Sequence, residues 1–385
     1  MTAFAFHTVA SIVSEPGGAA RLGPLLAERF TQARRVLIVT DPGFLRTGLL
    51  EPARASLTQA GFTVSIFSEV VADPPEHVVN TAVDVARAND VDLVIGFGGG
   101  SSMDVTKLVA VLAGSAQPLA QIYGIGNVKG ARLPLVQVPT TAGTGSEVTN
   151  IAIVTTGETT KMGVVAPQLY ADLVLLDATL TLGLPPLVTA ATGIDAMVHA
   201  IEAYTSKIKK NPLSDNLARE ALRLLSNNLL VAVEDGSNLE ARQAMLLGAC
   251  LAGQAFSNAP VAAVHALAYP IGGIFHVPHG LSNSLVLPHV LRFNASHAAP
   301  LYAELADIVV PGSGGSHAAR TEGLIAAMQQ IAQRTGIQTR LQELGIAETD
   351  LDRLADDAML QTRLLGNNPR ELTRADARAI YAAAL

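Results

Sequence analysis

The stretch VDLVIGFGGGSSMD, residues 91–104, passes from a β-branched run into three adjacent glycines and then into a helical pattern that reaches Leu112. Gly98, Gly99 and Gly100 let backbone N–H groups approach a ligand without Cβ interference. A helix opening there turns the positive end of its dipole toward an anion. Ser101 and Ser102 can cap that helix or donate to a phosphate. A glycine run alone is more often a plain tight turn; its place between a strand and a helix shifts the reading toward diphosphate binding. The spacing is not the common G-x-G-x-x-G fingerprint.

Working outward, the same rhythm repeats. Residues 35–40 (RVLIVT) and 62–67 (FTVSIF) read as strands, a helical pattern runs through Leu49 and Leu57, Glu76 to Asn89 reads as a helix, and residues 134–139 (PLVQVP) read as a further strand. Alternating strand and helix predict a parallel, doubly wound sheet with ligands at the carboxyl ends of its strands. The character changes at residues 182–186 (LGLPP). Helical periodicity then dominates over Leu187–Ser206, Ser214–Asp235, Asn238–Phe256 and onward. The expected organisation is an α/β dinucleotide-binding domain over residues 1–183 and an all-helical domain over residues 184–385. Residues 311–316 (PGSGGS) read as a surface loop.

Composition narrows the class. The chain has 385 residues, 49% hydrophobic and 15% charged, with a net charge of −7. This is a globular composition, and its acidity argues against a nucleic-acid partner. A single cysteine, Cys250 in MLLGACLAG, excludes an intrachain disulfide, fits a reducing compartment and reads as a small buried hydrophobe. The N-terminus lacks the basic and apolar regions of a secretory signal, so a cytoplasmic location is expected. Gln243 to Val290 carries no Asp, Glu, Lys or Arg, but prolines and four histidines interrupt it. It therefore reads as buried helices rather than a membrane span.

Several polar residues sit where chemistry is expected. Asp41, at the end of a strand, can accept from ribose hydroxyls, although Asp before Pro-Gly is also a common turn former. Residues 139–149 (PTTAGTGSEVT) set Thr140, Thr141, Thr144 and Thr149 after a strand. Lys161 lies beyond; for an isolated lysine a solvated role is the default. Within ATGIDAMVHAIE, residues 191–202, Asp195 and His199 are i and i+4 and share an apolar helix face. A buried carboxylate and imidazole need partners, either each other or a metal. His265, His276, His279 and His289 crowd the charge-free stretch. One Asp with three His makes a site suited to Fe²⁺ or Zn²⁺ with a position left for a substrate oxygen.

Taken together, GGGSSMDVTK at 98–107, PTTAGTGSEVT at 139–149, ATGIDAMVHAIEAYTS at 191–206, and VHALAYPIGG with PHGLSNSLVLPHV between 264 and 290 resemble the iron-containing, or group III metal-dependent, alcohol dehydrogenases. The resemblance runs from the strand before Asp41 to at least Asn294. It implies the fold shared with dehydroquinate synthase: an α/β N-terminal domain with a doubly wound parallel sheet, an all-α C-terminal domain, and a catalytic cleft between them. It implies Asp195, His199, His265 and His279 as metal ligands, with iron expected and zinc the alternative. It implies NAD contacts from Asp41, Gly99, Gly100, Ser101, Thr140, Thr141, Thr144, Thr149, Lys161, Leu180 and Gly183. Asn150, Ile151 and Phe256 would border a small apolar pocket. Many members carry a histidine where this chain has Tyr269, so Tyr269 or His276 is expected to handle protons, with space filling the plainer role for Tyr269. Many also carry Asn where this chain has Asp73; an acid there, with Asp41, is expected to disfavour NADP.

The implied reaction is direct hydride transfer between NAD and a small alcohol or diol and its aldehyde or ketone, with the metal as Lewis acid on the substrate oxygen. The resemblance also implies a homodimer or larger homo-oligomer. Three rival readings remain: a lyase-type dehydroquinate synthase relative, a metal-independent reductase of the maleylacetate reductase type, and a non-catalytic nucleotide-binding protein.

Overall fold

A computed structural model of the chain describes residues 3–157 and 160–385. The chain divides into two compact units. One comprises Thr8–Thr141 and Gly145–Leu182; the other gathers Ala142–Thr144 and Gly183–Leu385 with the N-terminal segment to His7.

The first unit contains strands β1 (Ile12–Ser14), β2 (Arg35–Val39), β3 (Thr63–Phe67), β4 (Leu93–Gly98), β5 (Gly124–Ile125), β6 (Leu135–Pro139), β7 (Ile151–Thr156), β8 (Thr160–Val165) and β9 (Leu173–Leu176). Its helices are α1 (Leu22–Arg29), α2 (Pro42–Arg46), α3 (Glu51–Gln59), α4 (Glu76–Ala88) and α5 (Gly100–Leu112). Six strands form one parallel sheet in the order β1-β9-β6-β4-β2-β3. Every residue of β4 and β6 is buried, as expected for central strands covered on both faces. Ile38, Ile95, Phe97, Val136, Val138 and Leu175 lie in the core of one face.

The topology fixes where a ligand fits. From β2 the chain first moves outward to β3, then returns to place β4 on the opposite side of β2. The connections thus diverge between β2 and β4, and open α/β sheets bind ligands at the carboxyl ends of such a switch point. Asp41 follows β2 there, and the glycine run ends β4 and opens α5.

Beside the main sheet, β7 and β8 form an antiparallel hairpin, with β5 parallel to β8. This small sheet carries Lys161. The sequence reading marked neither the hairpin nor the short β1 and β9.

The second unit is helical: α6 (Pro186–Thr205), α7 (Pro212–Glu234), α8 (Leu239–Asn258), α9 (Ala263–Phe275), α10 (His279–Val309), α11 (His317–Arg334), α12 (Leu351–Met359), α13 (Thr362–Leu365) and α14 (Arg374–Ala384). The starts follow capping chemistry. Asn211 caps α7 ahead of Pro212, and Asn238 and Ser316 cap α8 and α11. α6 is buried on nearly all sides from Thr189 onward. The N-terminal segment is tied in at His7, whose N–H donates to Asn258 Oδ1 at 2.7 Å while Asn258 Nδ2 returns a bond to His7 O at 2.8 Å. Cys250 is buried in α8. Residues 311–316 form a largely exposed loop between α10 and α11. Among the described residues no single helix is long and apolar enough to cross a membrane; α8 and α9 pass that test only as a pair bent by 107°.

Candidate metal centre

Three helices of the second unit bring the centre together. Asp195 and His199 occupy one face of α6, His265 lies in the first turn of α9, and His279 is the first residue of α10. The approach of α10 to α6 depends on Gly280. A Cβ at that position would stand 2.7 Å from the Ala191 carbonyl carbon and closer still to its oxygen. The glycine lets the first turn of α10 lie directly on α6, which places His279 beside Asp195. Gly143 makes a similar approach, since a Cβ there would meet Thr192 Cβ of α6 at 2.7 Å.

One ligand atom from each of Asp195, His199, His265 and His279 lies within 4.8 Å of the others. Asp195 Oδ1 is 3.6 Å from His279 Nε2 and 3.9 Å from His265 Nε2. The His199 and His265 rings stack at 4.7 Å, and Phe256 of α8 covers the other side of His199 at 4.4 Å. Asp195, His199 and His265 are buried, whereas the His279 side chain keeps 38% of its exposure. The centre is therefore dry on three sides and open at His279.

The protonation states suit a cation. Burial drives the His199 pKa down to about 3 against the pull of Asp195, so the imidazole is neutral near pH 7 and offers a lone pair. For Asp195, burial pushes the pKa upward, but the charges of His199, His279 and His265 with the amide of Asn283 outweigh it and hold the carboxyl below its ordinary value. One carboxylate and three imidazoles form a donor set for Fe²⁺ or Zn²⁺. A further sign comes from Asn283 of α10. Its Nδ2 donates to Asp195 Oδ1 at 2.6 Å and lies 3.3 Å from both His265 Nε2 and His279 Nε2, while its buried Oδ1 has no partner. An orphaned carboxamide oxygen beside four convergent donors fits a site made for a cation.

Of the two residues expected to handle protons, Tyr269 stands by the centre, its ring 5.8 Å from that of His279. His276 ends α9 in the left-handed region at φ 56° and is exposed.

In the first unit, Asp41 Oδ1 accepts from Phe44 N–H at 2.8 Å and so caps α2. Its Oδ2 lies on the Gly98 side, 3.5 Å from where a Cβ of Gly98 would be. Thr141 stands against Gly99, and the Thr140 N–H donates to Gly98 O at 3.0 Å. Gly100 and Ser101 form the first turn of α5, and Leu180 is buried in a short 3-10 turn that precedes the exposed Gly183. Thr144 belongs with the helical unit.

Two of the sequence candidates have partners within the first unit. Thr149 accepts from Lys107 Nζ at 3.0 Å, and Lys161 is ion-paired with Asp73. Asp73 sits at φ 51°, a conformation Asp and Asn tolerate better than most residues. The backbone thus accounts for an Asx residue here, and the Lys161 ammonium stands beside its carboxylate.

Lys107, within the GGGSSMDVTK stretch, carries a role that its sequence position does not reveal. It is wholly buried, donates to Ser146 Oγ at 2.7 Å and to Ile151 O at 2.7 Å, and lies 3.5 Å from Asp104. Asp104 in turn accepts from Ser146 Oγ at 2.5 Å and from Ile153 N–H at 3.0 Å. Together they fasten α5 to the segment entering β7.

The chain thus pairs a parallel sheet, with a glycine turn at its switch point, with a helical unit that carries an Asp-His₃ cluster able to hold a metal. The comparisons agree. Residues 10–178 match the model for iron-containing alcohol dehydrogenase, and residues 189–385 match that for the C-terminal part of the Fe-containing alcohol dehydrogenase family. The chain belongs to the iron-containing alcohol dehydrogenase family. It is 43% identical over 358 residues to long-chain-alcohol dehydrogenase 1 of Geobacillus thermodenitrificans, covering 91% of this chain and 90% of that protein. A crystal structure of 1,3-propanediol oxidoreductase superposes with a TM-score of 0.95 at 34% identity, covering 100% of both chains. Sulfoacetaldehyde reductase from Bifidobacterium kashiwanohense, solved in complex with NAD⁺, superposes with a TM-score of 0.89 at 27% identity, covering 100% of this chain and 99% of that one.

Proposed function

We propose that this protein is a metal-dependent NAD(H) oxidoreductase that interconverts a small alcohol or diol and its aldehyde or ketone. The observation that carries this reading is the convergence of Asp195, His199, His265 and His279 within 4.8 Å in a chain matched along nearly its whole length by the family models. Residues 1–183 would act as the nucleotide domain and residues 184–385 as the metal-binding domain. Asp195 and the three histidines would hold Fe²⁺, with Zn²⁺ accepted by the same donors. When bound, the metal supplies Lewis acidity toward an oxygen, and NAD supplies hydride exchange.

The chain's own residues do the rest. The backbone of Gly99, Gly100 and Ser101 at the start of α5 faces the diphosphate position, with Asp41 on the ribose side and Thr140 and Thr141 lining the turn. Thr144, Thr149, Lys161, Leu180 and Gly183 complete the cofactor contacts by resemblance; Thr149 and Lys161 also hold the loop through Lys107 and Asp73. Phe256 packs on His199 and excludes water from that side. His279, half exposed, marks the open side where a substrate oxygen enters. Tyr269 stands by that side and carries the proton, with His276 toward solvent. Tyr269→Phe keeps the ring contact and is expected to lower kcat at least tenfold with metal content unchanged; an unaltered kcat leaves Tyr269 as a space filler.

A single buried cysteine supports a reducing, cytoplasmic setting. A homodimer or larger homo-oligomer is the assembly expected of the family, and light scattering reads it directly. The function itself is tested by following NADH absorbance with alcohols and aldehydes, from ethanol through 1,3-propanediol to long-chain substrates. The comparison is between protein reconstituted anaerobically with Fe²⁺ and protein stripped by chelator. Activity only in the reconstituted sample supports the reading. Equal activity in both hands the chain to the metal-independent reductases.

A further inference from the structure

Glu202 lies on α6 on the same face as Asp195 and His199, at i+7 and i+3 from them. Apart from Asp195 it is the only acidic residue of that helix. Its carboxylate is buried and reaches the start of α9. Oε1 accepts from Val264 N–H at 2.7 Å, Oε2 accepts from Ala262 N–H at 3.0 Å, and Oε2 stands 2.7 Å from His265 Nδ1. A backbone N–H can only donate, so both oxygens serve as acceptors, and Glu202 meets His265 in the same role. The hydrogen between Glu202 and His265 therefore sits on Nδ1. That leaves His265 Nε2 with its lone pair directed at the cluster, where Asn283 Nδ2 meets it at 3.3 Å.

We propose that Glu202 is a positioning residue that fixes His265 in the Nδ1–H tautomer and aims its Nε2 lone pair at the site shared with Asp195, His199 and His279. Capping α9 accounts for the two backbone bonds but not for the third, which goes to a ligand. The helix that supplies two of the four ligands thus also orients a third one from α9. Carboxylates that hold the far nitrogen of a metal-bound histidine set its orientation and raise its basicity. The inference rests on the metal-centre reading above.

The test uses metal-free protein labelled with ¹⁵N-histidine. Long-range ¹H–¹⁵N spectra read the tautomer of His265, assigned by the signal lost in His265→Gln. The wild type is expected as Nδ1–H, and Glu202→Gln is expected to lose that pattern. In competition with a chromophoric chelator, Glu202→Gln is expected to bind Zn²⁺ about 10–100-fold more weakly. Glu202→Asp, which keeps the charge, is expected to recover part of that loss. An Nε2–H signal for His265 in the wild type overturns the proposal, even where Glu202→Gln fails to fold. So does a Zn²⁺ affinity in folded Glu202→Gln within twofold of wild type. A wild type that shows the Nδ1–H form yet takes up no Zn²⁺ sinks the metal reading and upholds the tautomer assignment, which keeps the two failures apart.

Discussion

Replacing Gly280 with alanine tests whether the contact between α10 and α6 builds the centre. The added Cβ would stand 2.7 Å from the Ala191 carbonyl carbon, whereas ordinary contact begins at 3.4 Å, so the backbones must separate by at least 0.7 Å. The Ala191 oxygen is nearer still, and the same Cβ would press on Asp195 Cβ at 3.2 Å. Both obstacles are backbone or ligand, not the flexible end of a side chain, so the strain is not absorbed locally. Overpacking of this kind costs about 1–3 kcal/mol. For a unit of roughly 200 residues, that lowers Tm by about 2–4 °C per kcal/mol. The separation also draws His279 away from Asp195, whose facing atoms are now 3.6 Å apart. A displacement on the order of 1 Å can cost about 10²-fold in rate. Two measurements suffice: calorimetry in chelator for the strain, and Zn²⁺ competition for the geometry. Gly280→Ala is expected to melt several degrees lower and to bind Zn²⁺ at least tenfold more weakly. If its Tm and Zn²⁺ affinity both match wild type, α10 does not set the centre through this contact and the reasoning fails.

Other perturbations address separate links. His279→Ala and His265→Ala are each expected to lose most bound iron by elemental analysis along with turnover; full activity in a metal-free variant would defeat the mechanism. Lys107→Met leaves Asp104 without its buried cation and is expected to cost about 3–5 kcal/mol, read as an earlier melting transition of the sheet unit. Glu147, buried near Lys107, has its pKa pushed by desolvation up to about 7, above the unfolded value of 4.5. The folded state therefore binds that proton more tightly. The stabilisation is fully present below about pH 4.5 and is lost as pH rises through 7, amounting to about 3 kcal/mol. Tm is expected to fall between pH 5 and 8 in the wild type and to flatten in Glu147→Gln; an unchanged slope would refute the assignment.

What could be read from the sequence follows the strength of each physical signal. β2, β3, β4 and β6 are β-rich runs bounded by turn residues, and they stand out by composition alone. β9 is four apolar residues, too short for a period, and β8 is interrupted by Lys161 and Gly163, so both are faint. At the centre, Asp195 and His199 are visible because helical spacing places them together in an apolar run. Which of His265, His276, His279 and His289 would join them is a matter of tertiary contacts, and only the resemblance supplied the choice. His276 lies exposed while His265 and His279 converge. Glu202 had a signal that went unused: an acid in register with Asp195 and His199 on a buried helix requires a partner. Lys107 was similarly marked by its apolar neighbours. Asn283 had no such mark, since an amide in a helix is unremarkable until its surroundings are known.

The bond between His7 and Asn258 spans 251 residues of chain. The helical unit also claims Ala142–Thr144, so the chain leaves and re-enters it before the main helical run begins at Gly183. On a ribosome adding about 5–20 residues per second, the N-terminal segment would wait roughly ten seconds to a minute for α8 to emerge. The sheet, whose strands end at Leu176, can form well before that. Synthesis would thus pass through a stage with a completed sheet and an N-terminus still unanchored. Cutting the chain at residue 183 would strand both the N-terminal segment and Ala142–Thr144 on the wrong fragment. The two units are interleaved along the chain, so no single cut yields either one whole.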